Sequence, residues 1–282
     1  MTDERCLRPA IVDAHLHVVS PDTGAFPLQP RGVGRDWWTD KSVDAAAIGT
    51  MLHEHDVHRG VIVQAVGPYF TDNRYARAVV EAEPDRYALV VAIDASHGGT
   101  EQLAREVALG SVAGVRLFAA GGDASWLDDG RSDEVWDIAH DVGASLVVAC
   151  FAEHLPALAR TVAEHPDVTV ALDHCAFASL VGGPPYEAAA GLFALAELPA
   201  VHLKVSTNIL EAAARAGSAA AFVEHVAAAF GADRLAWGSD HPQSYETTYA
   251  EKLALARDAS AGMTTVQASA FFGVTADRLW FS

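Results

Sequence analysis

The stretch IVDAHLHVV, residues 11–19, is flanked by β-branched side chains and carries two histidines at alternate positions. In an extended strand successive side chains point to opposite faces. On that reading Asp13, His15 and His17 share one face, and Ala14 and Leu16 the other. Its apolar density suits a strand buried on both sides. Seven similar runs follow: GVIVQAVG (60–67), YALVVAID (87–94), VAGVRLFAA (112–120), ASLVVACF (144–151), VTVALDHCA (168–176), VHLKVST (201–207) and RLAWGSDHP (234–242). Between them lie helix-spaced stretches rich in Ala, Leu and Glu, such as TDNRYARAVVEAEPDR, GTEQLAREVALG, EHLPALARTVAEHP and SAAAFVEHVAAAFG. Glu83-Pro84, His165-Pro166 and Phe230-Gly231 fall where such helices should stop.

Eight strand-like runs alternating with helices over 282 residues predict one domain, 1–282, folded as a single (β/α)8 TIM barrel. An open doubly wound sheet would use the same alternation, but no GxGxxG follows the first run. The Gly- and Pro-rich segment 20–41 reads as a loop over the barrel mouth. Its Trp37 and Trp38 suit either a cover over the mouth or packing on the rim.

At 51% hydrophobic residues the chain can bury a large core, and its formal net charge of −18 repels nucleic acid and anionic membranes. A small anionic substrate stays compatible with that charge, because a few cations in a cleft dominate locally over screened surface charge. Three cysteines without CxxC spacing favour a reducing compartment. The first residues, MTDERCLRP, have no apolar signal core, and no apolar run is long enough to span a bilayer. The expectation is a cytoplasmic protein with a small-molecule substrate, no nucleic-acid or membrane partner, and a homo-oligomer left open.

In a parallel barrel the C-terminal strand ends face the catalytic mouth. His15 and His17 end the first run, His174 in LDHC ends the sixth, and Asp240 in GSDHP ends the eighth. Imidazoles and a carboxylate converging there suit a divalent cation, zinc above all, and Asp240 can take a proton from an attacking water. Taken singly, Asp240 also reads as a helix N-cap before a proline. Arg116 in GVRLF, Lys204 in HLKVS and Arg74 in TDNRY are candidate cations for the substrate, and Tyr69 in VGPYF a candidate contact. Each has a structural alternative: a buried ion pair for Arg116 and Lys204, a solvated helix start for Arg74, and rim packing for Tyr69. Cys150 is either a soft ligand or a buried apolar group. His53, His55, His58, His140 and His225 are expected to face solvent.

DAHLH, LDH, KVS and WGSDHP, in that order, resemble the amidohydrolase superfamily, and the likeness runs over nearly the whole chain. GVIVQAVGPYFTDNRYARAVVEAEPDRYALVVAIDA and GVRLF are similar to its lactonase-type branch, which includes 2-pyrone-4,6-dicarboxylate lactonase and sugar-acid lactonases. The resemblance implies that His15, His17, His174 and Asp240 form the metal set, and that Asp240, His174 and Arg116 act in catalysis. Metal-dependent members carry a carboxylated lysine or glutamate on the fourth strand and a histidine on the fifth. Here those strands offer Arg116 and Cys150. A binuclear site is therefore disfavoured. One divalent ion and a metal-free route through cationic side chains both stay open. The activity implied is lactone hydrolysis by water. The alternatives are a nonoxidative decarboxylase, a barrel that cyclises or dehydrates its substrate, and a catalytically silent ligand-binding barrel.

Overall fold

In the computed structural model, residues 10–30, 37–40, 43–120, 124–244 and 246–282 are described. Eight parallel strands pair in sequence order: β1 (Ile11–Leu16), β2 (Val57–Val63), β3 (Tyr87–Ile93), β4 (Val112–Phe118), β5 (Ser145–Ala149), β6 (Val170–Leu172), β7 (Val201–Ser206) and β8 (Leu235–Gly238). The seam between β8 and β1 closes through backbone bonds. Asp240 N–H donates to the His15 carbonyl (3.0 Å) and His17 N–H to that of His241 (2.8 Å). The chain is a single (β/α)8 TIM barrel, and an open doubly wound sheet is excluded.

The connecting helices form because their apolar spacing matches one helical face and their ends are satisfied. Arg74–Ala82 buries Ala76, Val79 and Val80. Asp44 caps Ala45–Glu54 by accepting from Ala47 N–H (2.8 Å), and Thr248 with Glu251 forms a capping box before Tyr249–Ala259. Three of the expected stops hold, since helices end at Ala82, Glu164 and Phe230.

The barrel interior is filled by small and β-branched side chains: Val12, Ala14, Val61, Val63, Ala88, Val90, Val147, Ala171 and Ala236. Trp280, near the C-terminus, joins this cluster, and its indole N–H donates to Ser145 Oγ (2.8 Å) at the start of β5. That places Trp280 at the N-terminal end of the barrel, opposite the mouth. Among the described residues no helix is long and apolar enough to cross a membrane.

Several strands end earlier than the apolar runs suggest. The sixth, expected over 168–176, stops at Leu172, because His174, Cys175, Ala176 and Phe177 all adopt left-handed φ between 49° and 54°. β2 begins at Val57 and gives way to a helical turn, Val66–Tyr69. Of the segment 20–41, residues 31–36 and 41 lie outside the described ones. The described part includes a helical turn, Trp37–Asp40, with Trp37 and Trp38 buried. A Cβ on Gly67 would lie 2.5 Å from the Trp38 ring, so only glycine admits that packing.

Candidate active site

Strict alternation along β1 is corrected by a bulge. Between Asp13 and Leu16 the strand advances three residues while its β2 partners advance two, from Gly60 to Ile62. The extra residue separates Asp13 from the histidines. Its Oδ1 accepts from Ser239 N–H (2.8 Å) and His15 N–H (3.1 Å), and its Oδ2 from the Tyr249 hydroxyl (2.9 Å). Burial raises the Asp13 pKa despite these bonds, and burial beside Asp13 raises that of Tyr249 well above its ordinary value, so the phenol keeps its proton to donate.

His15 and His17, both buried, bring their Nε2 atoms within 3.3 Å of one another, and Asp240 Oδ1 lies 3.7 and 3.5 Å from them. Among the described residues the buried Asp240 Oδ1 has no hydrogen-bond partner, while Oδ2 accepts from Ser244 Oγ (3.3 Å). Burial works against ionisation of Asp240, but His174, His17 and His15 outweigh it and hold its carboxyl below the usual range.

The partners of Nδ1 assign the tautomers of His17 and His174. His17 Nδ1 lies 2.8 Å from the Val63 carbonyl, which can only accept. His15 Nδ1 lies between an acceptor, Asp173 Oδ1 (3.2 Å), and a donor, Lys204 Nζ (3.5 Å). His174 Nδ1 meets Ser206 Oγ (2.8 Å), whose own hydrogen goes to Asn208 Oδ1 (2.6 Å). The Nδ1 atoms of His17 and His174 therefore carry hydrogen, which leaves their lone pairs on Nε2. The Nε2 atoms of His15 and His17 and Asp240 Oδ1 converge as two nitrogens and an oxygen of the kind that bind a divalent cation. The donor set of His15, His17 and Asp240, whose ligand atoms fall within 4.8 Å of one another, thus fits a metal ion. His174 stands next to it, its ring 4.8 Å from that of His15, and groups with His15 and Asp173. Burial lowers the pKa of both His15 and His174.

Below this layer lies a residue that the sequence reading passed over. Asp173, fully buried, pairs with Arg116 (Nη2 to Oδ2, 3.1 Å), with Lys204 (Nζ to Oδ1, 3.4 Å) and with His15. Burial raises its pKa, but Lys204, His15 and Arg116 together pull it well below the ordinary value. Its signal was present in LDH, directly before His174, and two buried cations called for an acid between them. Lys204 thus takes the buried ion pair named as its alternative, with the strand-end acid Asp173. Lys204 also stands 4.8 Å from the Trp280 ring, and burial lowers its pKa. Arg116 donates in addition to the Gln64 carbonyl (3.2 Å).

The other candidates fall outside this cluster. Arg74 is exposed and held by Asp72 (2.6 and 2.8 Å), the solvated helix start named as its alternative. Tyr69 is buried and its hydroxyl accepts from Ser20 N–H (2.8 Å), which fixes the start of the mouth segment. Cys150 is buried in the outer apolar core, and burial first, then Asp173, push its thiol up to about 12, so it packs as an apolar group. Of the outlying histidines, His53, His58 and His140 are exposed, whereas His55 and His225 are half-buried against aromatic rings.

Imidazoles and carboxylates gathered from three strand ends of a parallel eight-stranded barrel define a TIM-barrel enzyme site. The chain belongs to the amidohydrolase family, whose model matches residues 12–281. It is 28% identical over 244 residues to the L-fucono-1,5-lactonase of Burkholderia ambifaria, covering 83% of this chain and 80% of that one. Two solved structures share the fold. A Pseudomonas putida protein named for 2-pyrone-4,6-dicarboxylic acid hydrolysis has a TM-score of 0.77 at 24% identity, over 97% of this chain and 98% of its own. An amidohydrolase from Burkholderia multivorans with bound zinc has a TM-score of 0.76 at 24% identity, over 96% and 98%.

Proposed function

We propose that this protein is a lactonase that opens a small cyclic ester by attack of water, with Asp240 as the general base. The observation that carries this reading is Asp240 Oδ1: buried, without a hydrogen-bond partner among the described residues, and flanked by two imidazole Nε2 atoms. A carboxylate so placed can take the proton as the water oxygen bonds to the carbonyl carbon, then return it to the ring oxygen as the C–O bond breaks. The likeness to L-fucono-1,5-lactonase supports the ester class.

His15, His17 and Asp240 would hold one divalent cation, with His174 the candidate fourth donor, and zinc matches imidazole and carboxylate donors best. When bound, such an ion supplies Lewis acidity to the site. Arg116, anchored on Asp173, would donate to the developing oxyanion, with Lys204 keeping the Asp173 charge compensated. The partner proposed is a small molecule rather than nucleic acid or membrane.

The test joins metal analysis of protein purified without chelator to a lactone panel followed by proton release. Asp240→Asn should lower kcat by about 10²–10⁴-fold with the fold intact and some ion retained on the histidines. His174→Ala should lower both ion content and rate. Full activity of Asp240→Asn, or carbon dioxide release from an aromatic carboxylate with no lactone opened, would overturn the assignment.

A further inference from the structure

The cluster described above lies between aromatic side chains. Trp37 stacks on His17, with ring centroids 5.8 Å apart and planes 25° apart, and is buried. Next to His174 the situation differs. The Phe177 ring lies 4.9 Å from the His174 ring and 5.5 Å from Phe151, yet Phe177 and Phe151 are 40% and 38% exposed. Both come after the C-terminal ends of strands, Phe151 two residues beyond β5 and Phe177 at the end of the turn that follows β6. Of the other exposed large apolar side chains, Leu109, Val142, Val266 and Val274 lie singly in or beside helices and Leu28 and Val181 singly in loops, where isolated exposure is ordinary.

The backbone shows that Phe177 is held in place. It closes the run of four left-handed residues that begins at His174, none of them glycine. L residues avoid that region, and a run of them persists only when surrounding structure enforces it, commonly at functional sites. Here Cys175 and Ala176 are fully buried, with Cys175 Sγ against the Lys204 carbonyl (3.8 Å). One constrained turn therefore fixes both an imidazole of the site and the half-exposed phenyl ring beside it.

We infer that Phe151 and Phe177 form an apolar subsite that receives an alkyl or aryl group of the substrate beside the reacting ester. The inference rests on the lactonase reading for the word ester, and on the aromatic pair for the word apolar. Phenyl rings offer no hydrogen bond to a hydroxyl that leaves water, so a polyhydroxylated substituent on this side loses its solvation without replacement. An alkyl or aryl group gains by the surface that it and the two rings remove from water.

The experiment compares one lactone ring in three forms: unsubstituted, carrying a phenyl or butyl group, and polyhydroxylated. It uses the wild type, Phe177→Ala, Phe177→Leu and Phe151→Ala. Wild type should favour the apolar-substituted lactone over the other two in kcat/KM by about tenfold or more. Phe177→Ala should narrow the ratio of substituted to unsubstituted lactone by about 10–100-fold, mostly through KM, and Phe177→Leu should restore most of it. Calorimetry with phenylcyclopentanone against cyclopentanone, neither of which is hydrolysed, reads the same preference without turnover. Wild type that favours the polyhydroxylated lactone, or Phe177→Ala that lowers all substrates equally, overturns the inference. If no lactone is opened yet phenylcyclopentanone binds preferentially and loses that preference in Phe177→Ala, the lactonase reading fails and the subsite stands. If neither ketone preference nor lactone preference is seen, the subsite falls.

Discussion

Asp13 illustrates how a residue can serve the site without facing it. Its carboxylate takes backbone donors from His15 on β1 and from Ser239 next to Asp240, and thereby ties the two segments that present the candidate ligands. Tyr249 completes the arrangement from a helix outside the barrel, and its removal leaves Oδ2 without a donor. Tyr249→Phe should therefore cost about 1–3 kcal/mol of stability. It should also weaken divalent-ion affinity by about 10–100-fold, the usual effect of disturbing the partners behind metal ligands. Urea denaturation and calorimetric ion titration read the two separately, and unchanged ion affinity in a destabilised variant would reduce Tyr249 to packing. Asp173 was less legible. It neighbours His174 in the sequence, but its partner Arg116 lies 57 residues away, and nothing local announces such a meeting.

Among the elements, β1 and β8 set the geometry of the mouth. The bulge in β1 turns His15 and His17 towards Asp240, and Gly238 at the end of β8 allows the close approach this needs. A Cβ at Gly238 would stand 2.8 Å from the His15 Cβ and 3.1 Å from its nitrogen, both unable to yield without moving the strand. Gly238→Ala should cost about 1–3 kcal/mol, as overpacking does, and should lower kcat by well over tenfold because the imidazole is displaced. A urea midpoint and a kcat at saturating lactone test this, and a variant that is destabilised but fully active would refute the placement. The eight runs and their helices were readable from periodicity. The bulge and the left-handed turn after β6 were not, because both depend on what neighbouring strands impose.

For the molecule as a whole, polar chemistry gathers at one end of the barrel and the other end is shut by the C-terminal segment. There His202 on β7 donates from Nδ1 to the Ala200 carbonyl (3.2 Å) and accepts at Nε2 from Arg278 (3.2 Å). The bond from Arg278 requires the neutral imidazole, and burial chiefly, with Arg278 and Arg234 nearby, outweighs the Ala200 bond and lowers the pKa below the ordinary 6.5. The unfolded chain thus binds this proton more readily than the folded one, so stability rises with pH. The contribution is complete above about 6.5 and is lost as pH falls from there towards the depressed folded value, at no more than about 1.4 kcal/mol per pH unit. Wild type and His202→Gln, unfolded in urea at intervals between pH 5 and 8, should differ in slope over that window. Parallel slopes would show that His202 titrates alike in both states.

By itself the sequence determined the strand and helix succession, the closed barrel it implies, and the four residues His15, His17, His174 and Asp240 at three strand ends. These follow from local periodicity and from the rule that barrel strand ends face one mouth, so neighbours along the chain suffice. Only the tertiary structure decided that Asp13 turns away to Tyr249, that Asp173 compensates Arg116 and Lys204, that Arg74 stays at the surface with Asp72, and that Phe177 stands exposed beside His174. Buried charges settle on whichever partners packing brings within a few ångströms, and those partners come from strands far apart in sequence.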